Sequence, residues 1–490
     1  MSQEIRNLEP KVLWNKFADL NAVPRPSKKE DRVIAFMKNF GESLGLETFE
    51  DDIRNVIIRK PATPGMENRK AIVMQGHLDM VHQKNGDTVF DFDTQGIAMY
   101  VDQDWVRAQG TTLGADNGLG VAAIMAVLES TTIAHPAIEA LFTIDEETGM
   151  TGALNLKGGI LQGEILLNLD TEEDDEIDIG CAGGIDVTAT AEYNQEPTPE
   201  GSVGYTITVK GLKGGHSGMD IHKGLGNANK IMNRLLFDGF DNFGLQIAAI
   251  KGGSLRNAIP RESVATVIIA QVYDEAFVFD MQQIVNEIKA ELKTTEPNLE
   301  VVFEKLDSTP ELVMPSIAQF YFVRAMYAAH NGVYSMSTDF DNLVETSNNI
   351  AKVVLGEGNL SVECLTRSSV ETSKYDLANS LRSAFELMGC EVALSGAYPG
   401  WTPNSESEIM DVLASIYEKQ IGEKPRVVAC HAGLECGILG SNYPDMDMIS
   451  FGPTIHGAHS PDERASISSS QKFWKFLVEV LANIPLKQQK

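Results

Sequence analysis

Gly118-Leu119-Gly120-Val121-Ala122-Ala123-Ile124-Met125-Ala126-Val127-Leu128 is small and apolar on every side. A helix without a polar face is a buried helix. Short β-branched or apolar runs flank it at Asn55–Arg59, Ala71–Met74, Glu139–Ile144 and Ile165–Leu169, and these read as buried strands. Strand–helix alternation of this kind predicts an α/β layered domain with a mostly parallel central sheet. Sites in such sheets form beyond the carboxyl ends of the strands. His77, Asp116, Glu146, Glu147 and Asp170 all fall at such ends or in the loops that follow.

The texture changes near residue 187. Tyr205–Lys210 alternates with period two, as an antiparallel strand with one solvated face does. Helical segments at Asn227–Leu236 and Phe277–Lys293 and strands at Phe243–Lys251, Ser263–Val272 and Glu300–Lys305 follow. After Pro315 a similar grammar recurs: a helix to His330, strands at Ile350–Leu355 and Leu360–Thr366, and a helix at Lys374–Met388. An internal duplication would produce this recurrence, although no residue-level repeat accompanies it. From about Gly396 the α/β pattern returns, with helices at Ser405–Lys419 and Gln471–Ala482 and strands at Arg426–Ala429 and Met446–Phe451. The expected organisation is a catalytic domain in two parts, residues 1–186 and 396–490, interrupted by an inserted α+β domain at 187–395.

The chain of 490 residues is 43% hydrophobic and 22% charged, an ordinary globular composition with room for more than one core. Its formal charge of −29 argues against a nucleic-acid surface, which needs basic clusters. No run approaches the roughly 18 apolar residues of a membrane span. The first six residues lack a basic-then-apolar leader. Five scattered cysteines without Cys-x-x-Cys spacing read as reduced thiols, so a cytoplasmic location without a membrane partner is expected.

The acidic residues and histidines carry the chemistry. His77 and Asp79 are two apart, so on extended backbone they share a face, and Asp79 could orient a metal-bound imidazole; alone, the pair also fits a surface turn. Asp116, in Leu-Gly-Ala-Asp-Asn-Gly, reads either as a helix N-cap or as a carboxylate bridging two metals. The same glycines lack the Lys-Ser/Thr of a phosphate loop. Glu146 and Glu147 cannot share one strand face, so one ligand and one general base are natural. Asp170 repeats the placement, and Glu172–Glu176 behind it reads as a solvated turn. Of His456 and His459, at least one is expected to ligate. Hard oxygens with two imidazoles suit a pair of divalent ions, zinc first, with Mn²⁺ or Co²⁺ as alternatives.

Taken in order, His-x-Asp, Gly-Ala-Asp-Asn-Gly, Glu-Glu-Thr-Gly, Asn-Leu-Asp and His-Ser-Pro-Asp-Glu resemble the dizinc exopeptidases that include carnosinases and bacterial glutamate carboxypeptidases. The stretches 77–81, 397–401 and 431–437 resemble the aminoacyl-histidine dipeptidase branch of that family, over essentially the full length. The resemblance implies a zinc-exopeptidase-like catalytic domain with an inserted lid or dimerisation domain. It implies His77 and Asp170 on one zinc, Glu147 and His459 on the other, and Asp116 between them followed by a cis peptide. Asp79 would orient His77, and Glu146 would be the general base. In the inserted domain it implies His216, in Gly-Gly-His-Ser-Gly, as the oxyanion donor, reaching across a homodimer in several members, and Asn257 as a substrate contact. Arg367 is the candidate clamp for a substrate carboxylate, against the alternative of a solvent-exposed arginine, and Glu435 for a substrate α-amine.

The function so implied is hydrolysis of unblocked dipeptides, Xaa-His including β-Ala-His. A related deacylase or carboxypeptidase is the nearest alternative, but such enzymes tend to be shorter than this chain. A non-catalytic binding module would be expected to lose Glu146 or a ligand, and no expected position is lost.

Overall fold

The computed structural model describes residues 3–487, which divide into two units. Unit one comprises Met1–Gly180, Pro403–Ala429 and Leu434–Lys490; unit two comprises Cys181–Thr402 and Cys430–Gly433.

Unit one is built on an eight-stranded sheet. Across it lie Glu47–Glu50, Val56–Lys60, Ile138–Thr143, Ile72–His77, Ile165–Asn168, Asp447–Ser450, Glu176–Cys181 and Arg426–Cys430. The four strands from Ile138–Thr143 to Asp447–Ser450 run parallel, and antiparallel pairs flank them. Ile72–His77, Ile138–Thr143 and Ile165–Asn168 are buried at every residue, which is why their apolar residues come in short consecutive runs such as Ile72-Val73-Met74 and Ile165-Leu166-Leu167 rather than alternating with polar ones. The helix Ala115–Glu129 is buried from Asn117 to Leu128, consistent with its lack of a polar face. His77 ends one parallel strand, Glu146 lies three residues beyond the end of the next, and Asp170 two beyond a third, so all three gather at the same edge.

Unit two carries an antiparallel sheet in the order Glu300–Lys305, Ser202–Lys210, Ser263–Ala270, Gln246–Gly252, Val344–Gly356, Asn359–Ser368, Gly183–Glu192, Glu391–Tyr398. Two strand–helix–strand–strand–helix–strand series make it. The first runs from Ser202 to Lys305. The second takes Gly183–Glu192 and continues from the helix Ser316–Ala328 to Tyr398. In each, the strands lie fourth, first, third, second, and the two second strands, Gln246–Gly252 and Val344–Gly356, pair with each other.

Three local readings change. Phe243 ends the helix Ala228–Phe243 rather than opening a strand, because Gly244 at φ +62° caps the helix and the strand starts at Gln246. The strands Gly332–Met336 and Glu391–Tyr398, absent from the sequence reading, are half-exposed and have no fully buried residue. Glu172, in the expected turn, is half-buried rather than fully solvated, and burial, then the nearby Asp116, pushes its carboxyl up to about 8. Among the described residues no helix is long and apolar enough to cross a membrane.

Candidate metal centre

His77 Nδ1 lies 3.2 Å from the backbone oxygen of Asp79 and 3.4 Å from its Oδ1. The carbonyl can only accept, so Nδ1 carries a proton. Burial opposes a charge on the ring, but Asp170, Asp116 and Asp79 overcome it and hold the ring charged, and a cation on the opposite side would take the place of the Nε2 proton. There Nε2 meets Asp116 Oδ1 at 3.2 Å and Asp170 Oδ1 at 3.6 Å. The other oxygen of Asp116 lies 3.2 Å from His459 Nε2, which is 3.0 Å from Glu147 Oε2. His77–Asp116–Asp170 and Asp116–Glu147–His459 are therefore two groups that could each hold a metal ion, and they share the Asp116 carboxylate. His456, three residues earlier, stacks on Trp105 at 5.1 Å and faces Glu173 instead.

The local backbone serves this arrangement. Gly114, at φ +69°, turns the chain into the helix Ala115–Glu129, and Asp116 and Asn117 keep non-helical angles inside its first turn. The Asp116–Asn117 peptide is cis. Asp145 and His459 have φ +52° and +64°, conformations that a non-glycine residue holds only when its surroundings impose them. At Asp145 those surroundings are the hydroxyls of Thr148 and Thr151, which both donate to its carboxylate. Asp79 does more than face His77. Its carboxylate accepts the backbone N–H groups of Glu146 and Glu147 and the Ser27 hydroxyl, so it also sets the direction of the glutamate doublet.

The charges call for cations. Burial opposes ionisation of Asp116, but His459 and His77 overcome it and hold its carboxyl far below the usual range. Burial pushes the carboxyls of Glu146 and Asp170 well up, with Asp116 and Glu435 adding to the shift. His459 is held up to about 11 by Asp116 and Glu147. Glu147 Oε1 and Asp170 Oδ1 are buried without a hydrogen-bond partner. Clustered, desolvated carboxylates with orphaned oxygens are costly unless a cation joins them. Ligands about 2.0–2.1 Å from a tetrahedral ion stand roughly 3.3 Å apart, and the four separations here run from 3.0 to 3.6 Å. The donor set fits a metal pair.

Glu435 is also buried in unit one. Its Oε2 accepts from Gln75 Nε2 at 2.6 Å and Thr143 Oγ1 at 2.7 Å, its Oε1 has no hydrogen bond, and burial lifts its carboxyl to about 7. Gln75, Thr143 and Arg25 carried no signal in the sequence, and Glu463 stood there only as the end of His-Ser-Pro-Asp-Glu, because each meets partners far away in the chain.

The remaining expected residues lie in unit two. His216 sits on the short strand Gly215–His216, and its Nδ1 accepts the N–H groups of Gly218 and Met219 at 3.2 and 3.0 Å. In the neutral ring the proton is then on Nε2, and burial, reinforced by Arg367, keeps the ring neutral. Asn257 has an exposed side chain, while its carbonyl accepts the Ser217 N–H at 2.8 Å. Arg367 is buried, not solvent-exposed: only 4% of its surface is accessible, with Nη1 donating to the Tyr398 hydroxyl at 2.9 Å.

Residues 73–483 match Peptidase family M20/M25/M40. The chain belongs to this family. The cytosol non-specific dipeptidase of Escherichia coli (strain K12) is 42% identical over 488 residues, 99% of this chain and 100% of that one. The solved structure of aminoacylhistidine dipeptidase from Vibrio alginolyticus covers 99% of each chain at 44% identity with a TM-score of 0.94. Aminopeptidase PepT from Bacillus cereus, at 16% identity and a TM-score of 0.56 over 97% of this chain and 99% of that one, shares the fold. This M20 protein is a metallopeptidase, a hydrolase whose α/β catalytic sheet carries side-chain groups able to hold metal.

Proposed function

We propose that this M20 peptidase hydrolyses the peptide bond of unblocked dipeptides, Xaa-His including β-Ala-His, using two divalent ions, zinc first. The observation that carries the proposal is Asp116, whose two oxygens each face a different imidazole. In this reading His77 and Asp170 hold one ion, Glu147 and His459 the other, and Asp116 both. The names of the E. coli and Vibrio relatives support dipeptides as the substrate class.

The ion pair, when bound, polarises the scissile carbonyl and lowers the pKa of water toward about 7. Glu146 carries the proton. Its half-buried carboxylate takes it from the attacking water as the C–O bond forms, and returns it to the leaving nitrogen as the C–N bond breaks. Asp79 fixes the Nδ1–H tautomer of His77 and, through the backbone of Glu146, the aim of the base. His216 donates Nε2–H to the developing oxyanion. Arg367, with its planar fork, takes the C-terminal carboxylate, and Asn257 contacts the substrate backbone. Glu435 pairs with the free ammonium through Oε1, the oxygen that accepts no hydrogen bond.

Association into a homodimer through the inserted unit, with His216 serving the partner's substrate, belongs to the same proposal. Exposed Ile317, Phe320 and Tyr321 on the helix Ser316–Ala328 support it, and a monomeric mass in solution would remove it. The cytosol named for the E. coli relative supports a cytoplasmic location.

The test is a panel of β-Ala-His, Gly-His, Leu-Gly and an N-acetylated dipeptide with metal-loaded protein. Turnover of the free dipeptides and not of the blocked one is expected. Cleavage of the blocked peptide alone would move the chain to the deacylases.

A further inference from the structure

The metal-ligand groups come from stretches far apart in sequence, and two buried side chains join three of them. Glu463 lies on the loop that carries His459, four residues on. Its Oε2 accepts the N–H groups of Leu113 and Gly114 at 2.7 and 3.0 Å, and its Oε1 those of Ala115 and Asp116 at 2.7 and 3.3 Å. One carboxylate thus holds the whole turn that presents Asp116. The turn is also the start of a 15-residue helix, where a negative charge is favoured.

Arg25 makes the second connection. Nη1 donates to the carbonyls of Leu78 and Asp79 at 3.1 and 3.0 Å, and Nη2 to those of Gly114 at 2.5 Å and the Asn21 side chain at 3.0 Å. It ties the stretch after His77 to the turn before Asp116. The guanidinium is so close that a Cβ on Gly114 or Gly118 would lie 2.7 or 2.6 Å from Nη2. Both side chains are almost completely buried, at 1% and 2% accessible; burial lowers the Arg25 guanidinium to about 10, against which Glu463 favours its charged form.

We propose that Arg25 and Glu463 are positioning residues that set the spacing of His77, Asp116 and His459, and through it the affinity of both metal positions. The inference rests on the metal reading above. No neutral or shorter side chain replaces either group. Glutamine at 463 would turn an NH₂ toward two backbone N–H groups, and lysine at 25 has one nitrogen for four acceptors.

The test is titration of the metal-free protein with Co²⁺, followed by calorimetry and by visible absorption, for wild type, Glu463→Gln, Glu463→Asp and Arg25→Lys. Glu296→Gln is the control: Glu296 is equally buried in unit two and accepts the N–H groups of Lys213 and Gly226. Substituting groups that support metal ligands typically weakens binding about 10- to 100-fold. That loss, with a shifted Co²⁺ spectrum, is expected for Glu463→Gln and Arg25→Lys, with partial recovery in Glu463→Asp. Glu296→Gln should lower the melting temperature and leave Co²⁺ binding alone. Wild-type affinity and spectrum in Glu463→Gln, or an equal loss in Glu296→Gln, would overturn the proposal. Fewer than two Co²⁺ taken up by wild type would instead overturn the metal reading beneath it.

Discussion

His459 Nε2 lies 3.2 Å from Asp116 Oδ2, although 343 residues separate the two in the chain. The inserted unit occupies most of that interval, so the second ligand group can form only after unit one has closed around its interruption. Because Asp116 serves both groups while Glu147 and Asp170 serve one each, their substitutions should differ in stoichiometry. Asp116→Ala is expected to reduce bound metal to less than one ion per chain, and Glu147→Ala and Asp170→Ala to about one. Metal analysis after gel filtration measures this; equal losses in all three would contradict the shared-carboxylate arrangement.

Chelation should destabilise the protein. An ion at 100 times its dissociation constant stabilises by about 2.7 kcal/mol per site, worth very roughly 5–10 °C in a unit of this size. Excess chelator is expected to lower the melting temperature of wild type by that order and to leave Asp116→Ala nearly unaffected, as differential scanning calorimetry would record.

Arg367 makes a prediction about the substrate's end rather than its middle. If the guanidinium receives the C-terminal carboxylate, Arg367→Lys should lower kcat/KM for a free dipeptide about 10- to 100-fold, mainly through KM, since a charged hydrogen bond contributes about 1.5–3 kcal/mol. The same dipeptide as a C-terminal amide should be cleaved alike by both enzymes. A loss of equal size on the amide would assign Arg367 to holding Tyr398 and Ser217 in place.

His431 gives unit two a dependence on pH. It is buried, its Nε2 lies 2.8 Å from the Ser347 hydroxyl, and burial, followed by Arg367, His216 and His222, pushes it down to about 3. The folded value lies below the unfolded one of about 6.5, so the neutral ring is favoured by folding. Its contribution is complete above about pH 6.5 and is lost as pH falls toward 3, at up to about 1.4 kcal/mol per unit. Urea titrations between pH 7 and 5 should show this slope in wild type and a flatter one in His431→Gln.

The catalytic half of the fold was legible in the sequence because a sheet covered on both faces leaves consecutive apolar residues in its strands rather than alternation. Ile72–His77, Ile138–Thr143 and Ile165–Asn168 are such strands, and each delivers its acid or imidazole just past its end. Glu391–Tyr398 carries only Val392-Ala393-Leu394, and as an edge strand it has no fully buried residue. Arg25, and the role of Glu463 at the end of His-Ser-Pro-Asp-Glu, were hidden for a different reason. They bind backbone groups, Glu463 across 350 residues at Leu113, and no side-chain pattern marks a carbonyl or an N–H as a partner. In the sequence only the resemblance of His-Ser-Pro-Asp-Glu to the family separates His459 from His456; in the structure they differ by the positive φ of His459 and the Trp105 ring against His456.

The central claim is that Glu146 moves the proton while other residues hold the metal. The most direct measurement is hydrolysis of Gly-His by Glu146→Gln beside wild type, with the metal content of both samples determined. The account predicts two ions per chain in each protein and a fall in kcat of about 10²–10⁴ in the variant. Full activity in Glu146→Gln with both ions bound would contradict it.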